Sequence, residues 1–500
     1  MSRKGTEKFV ICRDTEAVTH LEPGLFPAGR HSEWSEQNRT LTFAIHPLNN
    51  KIALAVAGKQ PSPHLAKRAP VFEQDQVVHI CGQPTADDSR LAFINDTHAV
   101  FSALQKIMEG EEHVGVDSLL RMSAVYREAM MRQLRELQAG EQTEFVVAET
   151  DTFQYMHAVW HLLEIIYLTT NLPGLSTSIV PHFMEWVNFN FPAPTAADGR
   201  RIVGDGSLVL ANEELWPYIR KLAMRGHVSV LANMLERLVS APELSAAAAR
   251  WARDIARIAR SMPLGSQEET AGSFNARWRR WNEELQNAAT AIGSLLDPPA
   301  SDVDVELEAL YAVVDILRGN VDAIAAEGQS WLDVLGAILL YSEPTSQADR
   351  LPSLAILVAE QFPRTEFSVV DRSLFALLTH DLAEFLVFSN QIDPWLSAHI
   401  SDVMDHISIL DQCRAAFAAV DPREHYLVAL GELYMAHEGL WRVGLDYFGL
   451  CGTPAARCVM AEYAVRVPLD SSVTVQQVLG LSQKYGLLRA EDRIHRQVAR

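Results

Sequence analysis

Apolar residues along this chain change their period near Ala103. Beyond it they return every three or four positions. In LLRMSAVYREAMMRQLREL they fall at 119, 120, 122, 125, 126, 130, 134 and 137, a stripe down one side of a helix. A polar link, AGEQTEFVVAETD at 139–151, leads to a Trp-rich helix expected over 153–170, which Asn171, Pro173 and Gly174 stop. A second helix is expected from Thr177 to just before Pro192 and Pro194. Arg225-Gly226-His227-Val228 and Arg318-Gly319-Asn320-Val321 each set Gly between two apolar helices, where the left-handed backbone just past a helix end suits it. Gly439 and Gly486 repeat the device, at spacings too uneven for a fixed-period repeat array. Asp393-Pro394 and Asp421-Pro422 read as helix starts, with Asp accepting from first-turn amides, Pro at the first helical position and Glu424 as a capping-box partner. With helices of about a dozen residues and short links, 103–500 should hold roughly twenty. Such helices bury their stripes only on neighbours, so the chain reads as mainly α, an irregular α-solenoid whose surface is its working part.

Before Ala103 the period is two. Leu41, Phe43 and Ile45 in TLTFAIH, and Ile52, Leu54 and Val56 in IALAVA, alternate with their neighbours. Pro47, Asn49 and Asn50 between them suit a hairpin, and Gly58, Pro61 and Pro63 end the second strand. QVVHIC (76–81) and LAFIN (91–95) are further strand candidates. Three or four short strands leave two edges and one face unmatched, so this segment needs another polypeptide to complete it.

Composition supplies a core and a sign of charge. Hydrophobic residues are 48% of the 500, with 10 Trp and 19 Phe, which excludes wholesale disorder and suggests about three domains or one extended repeat body. With 63 Asp plus Glu against 43 Lys plus Arg, the net charge is −20, and such a surface repels phosphate backbones, so nucleic acid is not an expected partner. The five cysteines contain no CxxC pair and do not read as a disulfide framework. No run approaches the ~18 apolar residues that cross a bilayer, so direct membrane insertion is not expected.

Nothing nominates a catalytic residue or a cofactor. His157, His161 and Glu164, at i, i+4 and i+7, could present three metal ligands. Ala158 stands where HExxH has its Glu, however, and the neighbours Trp160, Leu163 and Ile166 favour a helix packed on both sides. His399, Asp402, Asp405 and His406 cluster similarly, and their plainer reading is a solvated helix face beyond the Asp393 cap. GDGSL at 204–208 lacks the third glycine and the βαβ unit of a dinucleotide site, and no GxSxG occurs. Residues 250–281 are basic, with Arg253, Arg257 and Arg260 on one face followed by ARWRRW at 276–281. Guanidinium groups beside Trp could stack on bases or meet an acidic partner, the protein partner being favoured over RNA by the total charge, while the plainer reading packs them against the chain's own carboxylates.

Three stretches together resemble a known group: HAVWHLLEIIYLTTNLPGLSTSIVPHFMEWV (157–187), LWPYIRKLAMRGHVSVLANMLERL (215–238) and QIDPWLSAHISDVMDHISIL (391–410). In order and content they are similar to a scaffold nucleoporin of the Y-shaped nuclear pore coat, the short-arm subunit of the ancestral coatomer element class. The resemblance implies an α-solenoid folded back into trunk, crown and tail, preceded by a three- to four-stranded β-blade that completes the open WD-repeat β-propeller of a partner. It implies domains at 1–100 (blade), 101–370 (trunk and crown) and 371–500 (trunk return and start of tail), with other Y-complex nucleoporins bound through the helices. The blade's inward, partner-binding set would be Leu41, Phe43, Ile45, Ile52, Leu54, Val56 and Ile80. The implied place of work is the nuclear pore complex at the nuclear envelope, in support of protein and mRNA transport and without enzymatic activity. Members of this group usually continue past the point where this chain stops, so a shortened tail is expected. A vesicle-coat or tethering α-solenoid is the alternative.

Overall fold

A computed structural model describes residues 40–45, 52–57, 88–108, 115–169, 178–203, 210–263, 271–296, 304–417, 420–437 and 439–499. Strands β1 (Thr40–Ile45) and β2 (Ile52–Ala57) pair antiparallel, with Leu41 opposite Val56, Phe43 opposite Leu54 and Ile45 opposite Ile52. The strand candidate at 76–81, with Ile80, lies outside the described residues. The candidate at 91–95 is corrected, because LAFIN belongs to the helix Asp88–Met108. Five residues are too few to separate the two periods. Over the whole segment Phe93, Ile94, Thr97, Phe101, Leu104 and Gln105 are buried, which is helical spacing.

Among the described residues there are 21 α-helices, from Asp88 to Val498. The stretch 139–151 is mostly helix rather than link, since the Glu144–Leu163 helix starts as soon as the Thr143 hydroxyl accepts from the Val146 amide. That helix passes directly into a π-helical turn, Glu164–Thr169. The Asp421 carboxylate accepts from the Glu424 amide with Pro422 in the first turn, and Asp393 Oδ1 accepts from the Trp395 amide. A reciprocal capping box occurs at Ser368 and Asp371.

The two Arg-Gly turns have one geometry. Gly226 and Gly319 adopt φ of 68° and 77°; their amides reach the carbonyls of Ala223 and Ile316, and the next amides reach those of Leu222 and Asp315. Both carbonyl pairs at the helix end are thereby satisfied. Gly486 repeats this turn, but the left-handed glycine among the turns around 440–455 is Gly452, φ 81°, not Gly439.

The chain divides into two compact units, Val114–Leu396 and a second that joins the part up to His113 with Ser397–Arg500. In the first, sequence neighbours pack as helix pairs, such as Val116–Ala139 on Glu144–Leu163 and Val228–Leu238 on Ala246–Arg260. Later helices also return to earlier ones: Trp331–Tyr341 packs on Val180–Asn190, and Val369–Leu378 on Glu144–Leu163. In the second, Pro422–Met435 pairs with Trp441–Cys451, which also packs on Asp88–Met108. Within each unit these helices bury apolar faces on one another, which is consistent with an α-solenoid.

Candidate interaction surfaces

Four of the residues that carry the family resemblance, Trp160, Trp186, Arg225 and Trp395, sit in the core of the Val114–Leu396 unit. In the first unit Tyr126, Trp160 and Trp395 form an aromatic cluster with ring centroids 5.2–5.8 Å apart, all three buried. The indole N–H of Trp160 donates to Ser123 Oγ (2.9 Å) and that of Trp186 to the Ala158 carbonyl (2.8 Å), so each large ring is buried without an orphaned donor. Arg225, at the Arg-Gly turn, is 4% exposed. Its Nε donates to Asp333 Oδ1 at 2.6 Å, and its Nη1 to the carbonyls of Phe191 (2.9 Å) and Val187 (3.3 Å). These groups join helices; they do not present a site.

Two of the three candidate metal ligands have other partners, and His161 packs its ring on His157 at 5.7 Å. Glu164 accepts from Arg127 Nε and Nη2, both at 3.0 Å, and from Ser123 Oγ at 2.5 Å, and His157 Nδ1 pairs with Asn190 Oδ1 at 2.8 Å. His157 and His161 line a cleft of about 340 Å³ with Arg127, Glu128, Glu185 and the exposed Phe189. Burial lowers the basicity of both imidazoles, aided for His161 by the Arg127 charge, and His161 falls to about 3. Among the described residues no group of three or more His, Cys, Asp or Glu is arranged to hold a metal ion.

The cluster at 399–406 is also corrected. It is not a solvated face: His399 is 1% exposed and Asp402 2%. Asp402 accepts from Arg423 Nε (2.7 Å) and from Gln105 Nε2 (3.0 and 3.2 Å), while Gln105 Oε1 accepts from Arg423 Nη2 (2.9 Å) and Arg423 Nη1 donates to the Cys451 carbonyl (3.1 Å). Burial by itself would raise the Asp402 pKa, but Arg423 and His406 override it and hold the carboxyl well below the usual carboxylate range. His399 Nε2 pairs with Tyr447 Oη at 2.8 Å, and burial pushes its imidazole down to about 3. The pattern of the helix gave no sign of this, because Gln105 and Arg423 come from other parts of the chain.

Of the basic face, Arg257 pairs with Glu284 (3.1 Å) and Arg260 with Glu236 and Asn233, as the plainer reading expected. Arg253 is exposed, and none of these contacts involves it. Of the seven residues assigned to a partner, the six at 41–56 hold the hairpin register described above, and Ile80 lies outside the described residues.

The sequence model of the family described as "Nup85 Nucleoporin" matches residues 78–500 of this chain. The chain belongs to the Nup85 nucleoporin family. Among individual relatives of this Nup85-family chain, Nucleoporin nup85 of Schizosaccharomyces pombe is 22% identical over 455 residues, 86% of this chain and 65% of the relative. Nuclear pore complex protein Nup75 of Drosophila melanogaster is 22% identical over 481 residues, 91% and 68% respectively. Nuclear pore complex protein Nup85 of Mus musculus is 24% identical over 416 residues, 78% and 59%. The matched regions thus span about three fifths to two thirds of these relatives' lengths. The family match covers the helices and begins after the β1–β2 hairpin. No helix among the described residues is long and apolar enough to cross a membrane.

Proposed function

We propose that this chain is a structural, non-enzymatic scaffold subunit of the nuclear pore complex, working in its Y-shaped coat, with N-terminal strands that add to the open WD-repeat propeller of a partner subunit. The observation that carries the scaffold reading is the family match over 78–500, laid on helices joined by buried ion pairs such as Arg225–Asp333 and Arg423–Asp402. The blade reading is supported by the described sheet, which has two strands. A lone hairpin is marginally stable in water, and pairing with an open propeller edge would satisfy its free backbone groups while Leu41, Phe43, Ile45, Ile52, Leu54, Val56 and Ile80 fill the space between blades. Such a contact would exceed the ~1,600 Å² of a standard interface. On this reading 1–100 carries the blade, 101–370 trunk and crown, and 371–500 the trunk return and start of the tail; the helices meet other Y-complex nucleoporins, and the assembly supports nucleocytoplasmic transport. The pore names of the relatives favour this over a vesicle-coat scaffold.

The test is a chain that starts at Asp88, which leaves every described helix intact. It should keep the helical circular dichroism signal of the full chain, lose co-purification of a WD-repeat protein and retain other pore subunits. Undiminished recovery of the propeller would refute blade donation. Recovery of cargo adaptors or small GTPases in place of pore subunits would return the chain to the vesicle-coat class.

A further inference from the structure

The basic stretch 276–281 has no part in the proposal above, and two of its residues, Trp278 and Arg279, line a trough of about 690 Å³ in the Val114–Leu396 unit. Two of its lining residues, Trp278 and Tyr341, belong to a row of packed aromatic rings. Phe274 stacks on Trp278 (5.7 Å), Trp278 packs on Trp281 (5.0 Å), and Trp281 stacks on Tyr341 (6.3 Å). Two of these rings are pinned by hydrogen bonds, Trp281 Nε1 to the Ile258 carbonyl (2.8 Å) and Tyr341 Oη to the Ala223 carbonyl (2.6 Å).

Three guanidinium groups line that trough, from three separate segments: Arg279 on the helix Ala271–Leu296, Arg318 at the turn after Val305–Leu317, and Arg350 beyond Trp331–Tyr341. Two are already positioned by the chain. Arg318 Nε donates to Asp315 (2.7 Å) and its Nη1 to Gln286 (2.9 Å), while Arg350 grips Glu343 through Nε and Nη2 (2.9 and 2.7 Å). Arg279 is exposed and has no hydrogen-bond or ion-pair partner among the described residues. Arg318 is thus paired by Asp315, and Arg350 by Glu343 with Asp349 nearby, which leaves Arg279 as the trough's one guanidinium without an ion-pair partner among the described residues, on a protein whose net charge is −20.

We propose that this trough is a docking site for an acidic peptide segment of a partner protein, with Arg279 as the primary carboxylate contact and Trp278 as the apolar bed beneath it. A fork of N–H donors suits a carboxylate, and groups on three segments suit an extended ligand more than a single small anion. Nucleic acid carries the right sign of charge, but the acidic surface elsewhere repels a long phosphate backbone. This assignment does not depend on blade donation.

The experiment measures fluorescence anisotropy of a fluorescein-labelled hexaglutamate peptide against the full chain at about 50 mM salt, with hexaglutamine as the uncharged comparison. Hexaglutamate should bind and hexaglutamine should not. Arg279→Glu should weaken binding at least fivefold, while Arg253→Glu, an equal change of charge at a residue that does not line the trough, should change it less than twofold. Arg279 is exposed, so the fold tolerates its replacement, and an unchanged circular dichroism spectrum checks this. Equal effects of the two variants would reduce the attraction to general electrostatics and overturn the site. Tighter binding of a ten-nucleotide uridine strand, lost in Arg279→Glu, would overturn it in favour of nucleic acid.

Discussion

Replacing Asp402 with Asn keeps the shape of the side chain and removes the one carboxylate that Arg423 and Gln105 share. Asp402 is 2% exposed and the Arg423 side chain 13%, so water cannot take over the lost pairing. Breaking a buried ion pair from one side costs about 3–5 kcal/mol when the remaining charge stays uncompensated, and with Asp405 3.9 Å from Arg423 the lower end of that range is expected. Gln105 lies in Asp88–Met108 and Arg423 in Pro422–Met435, so the loss should appear as local opening of these two helices. A cost of about 3 kcal/mol corresponds to roughly 150-fold faster amide exchange where opening limits it. Hydrogen exchange with mass spectrometry reads this directly, and a two-unit chain is poorly served by a single unfolding midpoint. Removing both partners, Asp402→Leu with Arg423→Met, should restore most of the protection, since two apolar groups leave no stranded charge. The folded carboxyl is held below its unfolded value of ~3.9, so the pair contributes above that pH. The penalty of Asp402→Asn should then be constant from pH 8 to 5 and shrink below about 4. Exchange altered by less than about fivefold, or strictly additive effects in the double variant, would refute the reasoning.

Other perturbations separate local from tertiary causes. Gly319→Ala should destabilise far more than Gly452→Ala: both glycines have positive φ, but the added methyl at 319 meets the Tyr341 backbone at 3.0 Å, whereas at 452 nothing lies within 4 Å. Hydrogen exchange of the helices flanking each turn should show the second losing only the left-handed strain, about 1 kcal/mol, and the first clearly more. Arg225→Met strands the buried Asp333 carboxylate and should cost about 3–5 kcal/mol, read as faster limited proteolysis around Val180–Asn190 and Trp331–Tyr341. Buried His399 resists protonation down to about 3, while the unfolded chain takes up that proton near ~6.5. The unfolded state therefore binds more protons between those values and stability rises with pH across that window. Lowering pH from 7 to 5 should cost about 2 kcal/mol at this residue, and His399→Phe should flatten the part of the thermal profile it controls.

Much of the fold was legible because its signals are short-ranged. Period-two spacing at 41–45 and 52–56 corresponds to the β1–β2 register, and Asp-Pro and Arg-Gly pairs mark helix ends that the structure satisfies bond by bond. The misreadings came from windows too short to hold a period. LAFIN alternates over five residues but belongs to a 21-residue helix, and the polar residues of 139–151 hid a helix start at Thr143. The cluster at 399–406 was misjudged for a different reason. A polar helix face looks solvated unless its partners are known, and those of Asp402 stand 21 and 297 positions away.

The sequence by itself determined the capped and glycine-marked helix ends, the sign of the surface charge and the family, because capping, periodicity and composition depend on residues within a few positions of one another. Only the tertiary structure decided that Asp402, His399 and Arg225 are buried, that Glu164 serves Arg127, and that Arg279, Arg318 and Arg350 line one trough. Desolvation and ion pairing are set by whatever packs against a group, and in a stack of helices those neighbours are distant in the chain.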